Sequence, residues 1–277
     1  MRILMTNDDG IYAPGFRALL AEMRTLGEVL AVAPATEQSA AGHSVTIFSP
    51  IVATEVADEK GELLGWAVEG RPADCVKLAL RMLLPWSPDL VVSGLNAGSN
   101  AGINVLYSGT VGAAIEGAFF RKTSIACSLE MPPVGRPDYQ QGARFARQMI
   151  ERILAGNPEE GSLFNVNIPD LSQGPPRGVT VLPQNTASYV EWYDKRVDPR
   201  GRVYFWIGPD FNCPTPNPDT DVTALAERLI TVTPLQFNLT RHELIGTMQQ
   251  WDWSVEGVDP TQPPPSAVKP RETGKNG

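Results

Sequence analysis

Apolar positions in the first 155 residues recur in two alternating patterns. Short apolar runs at residues 2–6, 28–33, 90–93 and 124–128 read as buried strands. Between them, apolar residues fall three or four apart. Phe16, Leu19, Leu20, Met23 and Leu26 follow Pro14-Gly15 at this spacing and stop at Gly27, which predicts a helix between the first two strands. Further helices are predicted from Pro72-Ala73-Asp74 to Leu83, with Lys77 and Arg81 one turn apart on its outer face, over about 110–120, and where Phe145, Met149, Ile150 and Ile153 form a core face. Strands alternating with helices imply parallel pairing through right-handed crossovers. The predicted fold class is therefore α/β, a doubly wound, mostly parallel, Rossmann-like sheet. Residues 45–54 and 63–68 read as a hairpin or protruding ribbon.

Beyond about residue 156 the pattern changes to short strands at 163–168, 179–182 and 203–207, separated by Pro-rich turns. We read these as a β-rich C-terminal arm on a single domain spanning residues 1–255. Residues 256–277 hold Pro260, Pro263, Pro264, Pro265 and Pro270 with little apolar content, and are expected to form a disordered tail without chemistry.

Composition narrows the classes. At 277 residues and 42% hydrophobic the chain can bury a large core. Lys plus Arg total 23 against 31 Asp plus Glu, a net charge of −8, so no nucleic-acid polymer is expected as a partner. Cys75, Cys127 and Cys213 are far apart and form no CxxC, which indicates neither a disulfide framework nor a zinc site. With no charged segment followed by an apolar one at the N-terminus, a cytoplasmic location is expected, with no membrane partner. The uncharged stretch 90–115 is long enough to cross a bilayer, but it is too rich in Asn, Ser and Gly to do so.

In an open parallel sheet, ligands bind beyond the carboxyl ends of the strands. That rule nominates three loops, residues 7–15, 34–44 and 94–109. The first holds Asn7-Asp8-Asp9-Gly10 directly after a strand. Neighbouring side chains on a continuing strand point apart, so Asp8 and Asp9 can share one ion only if the strand breaks, and Gly10 permits the break. A plain polar turn is the simpler alternative. In the third loop Gly94, Gly98 and Gly102 alternate with Asn96, Asn100 and Asn104, either by low complexity or because the backbone must approach a ligand. It ends in Ser108-Gly109-Thr110 at a predicted helix start, where free N–H groups suit a phosphate, although Ser108 or Thr110 could serve only as an N-cap.

If these loops converge, two carboxylates with the Ser39 hydroxyl and the Asn96 amide oxygen would select a hard divalent cation, Mg²⁺, Mn²⁺ or Ca²⁺, and phosphate-ester chemistry follows. Other phosphatase designs fit less well. Only His43 and His242 are present, and no GxSxG or Walker sequence occurs. The DxDx run Asp219-Thr220-Asp221-Val222 follows a Pro-rich stretch instead of a buried strand, and reads as helix capping.

Taken together, Asn7-Asp8-Asp9-Gly10, residues 34–39 with Gly42, Arg71-Pro72-Ala73-Asp74-Cys75-Val76-Lys77, Val92-Ser93-Gly94 with Asn96, residues 107–111, Asp198-Pro199-Arg200-Gly201-Arg202 and Val232-Thr233-Pro234-Leu235 resemble the survival protein SurE family of metal-dependent 5'-nucleotidases. The resemblance implies a metal held by Asp8, Asp9, Ser39 and Asn96, with Mg²⁺ or Mn²⁺ the expected ion. It also implies hydrolysis of nucleoside 5'-monophosphates and homodimers or homotetramers with exchanged C-terminal arms. Leu95 before Asn96 and Arg121-Lys122 depart from the family's usual residues without touching these ligands, and the Pro-rich tail lies outside the resemblance.

On this reading Asp8 and Asp9 are the catalytic residues, either as metal ligands activating water or with one carboxylate attacking phosphorus. Asn96, Asn100, Ser108, Gly109 and Thr110 are expected to hold the phosphate. His43, four residues after Ser39, is a candidate proton donor to the leaving group or simply a hydrogen-bonded loop histidine. A nucleotide or phosphate sensor without turnover is the alternative from another class.

Overall fold

Ile3 and Met5 of β1 (Arg2–Thr6) are buried on one face of the sheet and Leu4 on the other, the period-two signature of a central strand. The computed structural model describes residues 1–58, 60–187, 192–208 and 216–256. Ile3 and Met5 pack with Phe16, Leu19 and Met23 of α1 (Pro14–Met23) and with Met149 and Ile150 of α4 (Tyr139–Ala155). Leu4 packs with Val76 of α2 (Pro72–Leu78) and Ala113 of α3 (Gly109–Phe119) on the opposite side. Two helical layers therefore enclose the sheet, as the alternation predicts. A single π-helical stretch, Ala79–Leu83, replaces the last turn of the helix expected to reach Leu83.

The other strands are β2 (Glu28–Pro34), β3 (Ala53–Ala57), β4 (Leu63–Val68), β5 (Leu90–Ala97), β6 (Thr123–Leu129), β7 (Leu163–Ile168), β8 (Gly178–Val181), β9 (Tyr193–Val197), β10 (Val203–Ile207) and β11 (Leu229–Leu235). Among the described residues the main sheet runs β3-β4-β2-β1-β5-β6-β7-β11-β8. The run from β4 to β7 is wholly parallel, whereas β3 and β11 pair antiparallel to their inner neighbours. From β1 the chain extends one way through β2 and the other way through β5. The switch point lies between β1 and β5, whose carboxyl ends carry Asp8-Asp9 and Asn96.

Two expectations change. The expected hairpin is present, β3 pairing antiparallel with β4, but its first strand is Ala53–Ala57 while residues 45–52 form none, and it does not protrude: β4 pairs in parallel with β2 and extends the sheet. Nor does everything after residue 156 form an arm. β7 continues the parallel sheet, and β11 and β8 complete its edge. Only β9 and β10 stand apart, as an antiparallel hairpin. Strand length and Pro-rich turns look alike in an arm and at a sheet edge, and pairing partners decide between them.

The chain divides into two units, Met1–Phe237 and Asn238–Gly277. In the second, α6 (His242–Met248) buries none of its residues, and Trp251 stacks on Trp253 at 5.8 Å between centroids. The tail expected to be disordered lies, from residue 257 on, outside the described residues, as does Cys213. Cys75 and Cys127 are buried free thiols. Among the described residues no helix is long and apolar enough to cross a membrane.

Candidate metal centre

The break after β1 is built by Asn7. Its Nδ2 donates to the Gly10 carbonyl (2.9 Å) and its Oδ1 accepts the Gly10 N–H (3.2 Å), closing an Asx-type turn with Gly10 at φ +100°. The second loop docks on this turn, the Gln38 N–H donating to the Asp8 carbonyl (2.8 Å).

Asp8 is 4% exposed and lies against the first turn of α3. Thr110 donates its hydroxyl to Asp8 Oδ1 in a short hydrogen bond, and its backbone N–H also supports the carboxylate. Gly109 makes the approach possible: a Cβ there would lie 2.8 Å from Asp8 Cβ and 2.9 Å from its Oδ2. Burial still pushes the Asp8 carboxyl above its usual range, against the Thr110 bonds that hold it down and with Glu37 adding repulsion. Asp9 is pushed up to about 6, first by burial and then by Asp8, while the Ala97 N–H at 3.2 Å opposes the shift. Two neighbouring carboxylates held this way favour a cation.

Their surroundings fit one. Asn96 donates Nδ2 to the Gly98 carbonyl (2.7 Å), which leaves Oδ1 as a neutral oxygen donor. The Ser39 Oγ donates to Glu37 Oε1 (2.5 Å) and keeps its lone pairs. Asp8, Ser39 and Asn96 line one cleft of about 710 Å³; Asp9 is not among the residues that line it, and accepts the N–H of Ala97, which is. Among the described residues no three His, Cys, Asp or Glu side chains gather as a metal group, so any shell here has only two carboxylates, completed by hydroxyl and amide oxygens. That donor set suits a hard ion.

The expected phosphate contacts are placed less uniformly. Ser108 caps α3, accepting the Val111 N–H at 3.0 Å, and it also lines the cleft. Thr110 is fully buried and committed to Asp8. The buried carboxylate has taken the Thr110 helix-end donors expected for phosphate, and Gly109, in the same turn, is buried and is not among the residues that line the cleft. One N–H of the Asn100 Nδ2 is given to Ser128 Oγ (2.9 Å) and one of the Asn96 Nδ2 to Gly98 (2.7 Å), which leaves each of these cleft-lining amides one further N–H. His43 does not line the cleft; its Nε2 lies 2.7 Å from Glu116 Oε2.

Several residues in and beneath the site were not anticipated. Asn165 and Asn167, two apart on β7 and so on one face, hold the Asn100 backbone: Asn167 Oδ1 accepts its N–H (2.7 Å) and Asn165 Nδ2 donates to its carbonyl (2.8 Å). Asp221, from the DxDx run, is fully buried and accepts the N–H groups of Gly102, Asn185 and Val222, each at 2.8 Å. It ties the glycine loop to α5 (Asp221–Ala226), and Thr220 is the N-cap of that helix. Alternating polar residues within the run at 163–168 were the available signal. Tyr193 of β9 and Ile207 of β10 join Tyr107 on the cleft wall, and no local pattern pointed to them.

A family model described as survival protein SurE matches residues 3–191. A 5'-nucleotidase SurE of Rhodopirellula baltica is 51% identical over 256 residues, covering 91% of this chain and 99% of the relative. A 5'-nucleotidase SurE of Desulforudis audaxviator is 43% identical over 259 residues, covering 91% and 99%. Among solved structures, the crystal structure of the SurE protein from Aquifex aeolicus superposes with a TM-score of 0.77 at 33% identity, covering 90% of this chain and 98% of that one.

Proposed function

Because this chain belongs to the survival protein SurE family, we propose that it is a 5'-nucleotidase that hydrolyses nucleoside 5'-monophosphates to nucleoside and phosphate with one divalent ion, Mg²⁺ or Mn²⁺. The observation that carries the reading is the Asp8-Asp9 pair at the switch point, both carboxyls raised by burial and neighbouring negative charge beside two neutral oxygen donors. The ligands in this reading are Asp8, Asp9, Ser39 Oγ and Asn96 Oδ1. When bound, such an ion polarises the phosphoryl group and lowers the pKa of an attacking water.

The chain's own groups do the rest. Thr110 orients Asp8 and favours its ionised form. The Ser108 hydroxyl meets the phosphate oxygens at the positive end of α3, with the Gly109 N–H behind it adding to that positive end. Tyr107, Tyr193 and Ile207 offer the nucleoside an apolar wall. A sensor without turnover needs no buried carboxylate pair, and the nucleotidase names of the relatives favour catalysis.

The chain is further read as cytoplasmic, which suits two buried free thiols, and as a homodimer or homotetramer. Tyr204, Phe205, Trp206 and Ile207 are exposed along β10; Ile207 faces the cleft, and Tyr204 and Trp206 stand on the opposite face, which a second copy would cover.

The direct test incubates the protein with a panel of nucleoside monophosphates and Mn²⁺ or Mg²⁺, with and without chelator. Metal-dependent phosphate release is expected, together with its loss in Asp8→Asn and Asp9→Asn at an unchanged circular-dichroism spectrum. No release with either ion, or full activity in Asp8→Asn, refutes the reading.

A further inference from the structure

Glu116 lies in the middle of α3 with its side chain 4% exposed, and both its oxygens are engaged. Lys77 Nζ of α2 is 2.9 Å from Oε1, and His43 Nε2 is 2.7 Å from Oε2. Burial works against the ionised form, yet the bonds from His43 and Lys77 win and hold this carboxyl below its usual range. A carboxylate this buried is tolerable only when cationic or hydrogen-bonding partners meet it. Lys77 needs only the neighbouring helix to do so. His43 arrives from residues 35–52, which contain no helix or strand.

Ser39 lies on that stretch. It is exposed, and among the described residues its hydroxyl bonds only to Glu37, two residues away in its own loop. Its position depends on the anchors that flank it. On one side the Gln38 N–H meets the Asp8 carbonyl (2.8 Å). On the other the Gly42 N–H meets the Tyr107 carbonyl (2.9 Å), and His43 then reaches Glu116.

We infer that Glu116 is a positioning residue: through His43 it clasps the Ser39 loop onto α3, the helix whose first turn holds Asp8, and so sets Ser39 against the carboxylates. The inference rests on Ser39 being a metal ligand, as read above. It assigns His43 to the loop's support, outside the proton-transfer path.

The test titrates the metal-free protein with Mn²⁺ alone by calorimetry and follows amide exchange in residues 37–46. Groups supporting a ligand typically change metal affinity about 10- to 100-fold. His43→Ala should bind Mn²⁺ about tenfold more weakly and exchange faster at the loop, with kcat at saturating Mn²⁺ within about twofold of wild type. His43→Gln, which keeps a donor for Glu116, should recover most of the affinity. The double variant His43→Ala/Glu116→Gln should bind no more weakly than the worse single variant. Wild-type affinity and exchange in His43→Ala, alongside weakened binding in Ser39→Ala, overturns the clasp. Unchanged affinity in Ser39→Ala removes the ligand reading and the clasp with it.

Discussion

The Thr110 hydroxyl bonds to Asp8 Oδ1 across 102 residues of sequence, and so the first turn of α3 holds a carboxylate of the protein itself. The helix end stabilises the ionised form of Asp8 where desolvation opposes it. This arrangement is possible only because residue 109 has no Cβ.

Gly109→Ala should therefore displace Asp8 while leaving α3 intact, since Ala is a good helix former. The new methyl would meet Asp8 Cβ at 2.8 Å and Pro72 Cγ at 3.1 Å. Mn²⁺ affinity is expected to fall at least about tenfold, by analogy with other disturbed ligand supports. Calorimetry measures it, and a wild-type Kd would show that Asp8 does not depend on this contact.

Asp9 makes the stability of the metal-free protein depend on pH. Its folded pKa of about 6 lies above the ordinary 3.8, so the folded state binds the proton more tightly than the unfolded chain. This contribution is fully present below about pH 4 and is lost as pH rises through about 6. With chelator, wild type should lose Tm relative to Asp9→Asn over that window, and Mn²⁺ should restore it. A Tm difference that is flat from pH 4 to 7 contradicts the assignment.

Tyr193 should matter only for substrates that carry a base. Stacking of a base on an aromatic ring is worth about 1–3 kcal/mol, so Tyr193→Ala should raise KM for a nucleoside monophosphate about fivefold or more. KM for glycerol phosphate, which has no base, should not move. Equal effects on the two substrates would instead place Tyr193 in general support of the cleft.

Asp221→Ala should act on stability. It strands three backbone N–H groups now satisfied at 2.8 Å, and an unsatisfied buried donor costs about 1–3 kcal/mol. A loss of roughly 3 kcal/mol or more in denaturant unfolding is expected, with Asp221→Asn milder. A stability loss below about 1 kcal/mol would mean that the glycine loop does not depend on this tie.

Local signals were enough for the architecture. The period-two burial of Ile3, Leu4 and Met5 and the helical spacing of Phe16, Leu19 and Met23 are properties of short stretches, and the α/β class follows from their succession. The same succession put Asp8, Ser39 and Asn96 on loops at the carboxyl ends of strands, and the structure finds all three on one cleft. The strands at 163–168 and 179–182 were legible as strands, but their place in the sheet depended on partners far along the chain.

By itself, then, the sequence determined which segments form strands and helices and which oxygen donors stand at the switch point. It could not tell which N–H groups those donors would consume. Only the tertiary structure decided that Thr110 serves Asp8, that His43 turns to Glu116 across 73 residues, that Asp221 anchors the glycine loop, and that Tyr193 reaches the cleft. The physical reason is the desolvation of buried charge. A carboxylate taken out of water must find donors wherever packing brings them, and that search is three-dimensional, whereas hydrophobic periodicity is read along the chain.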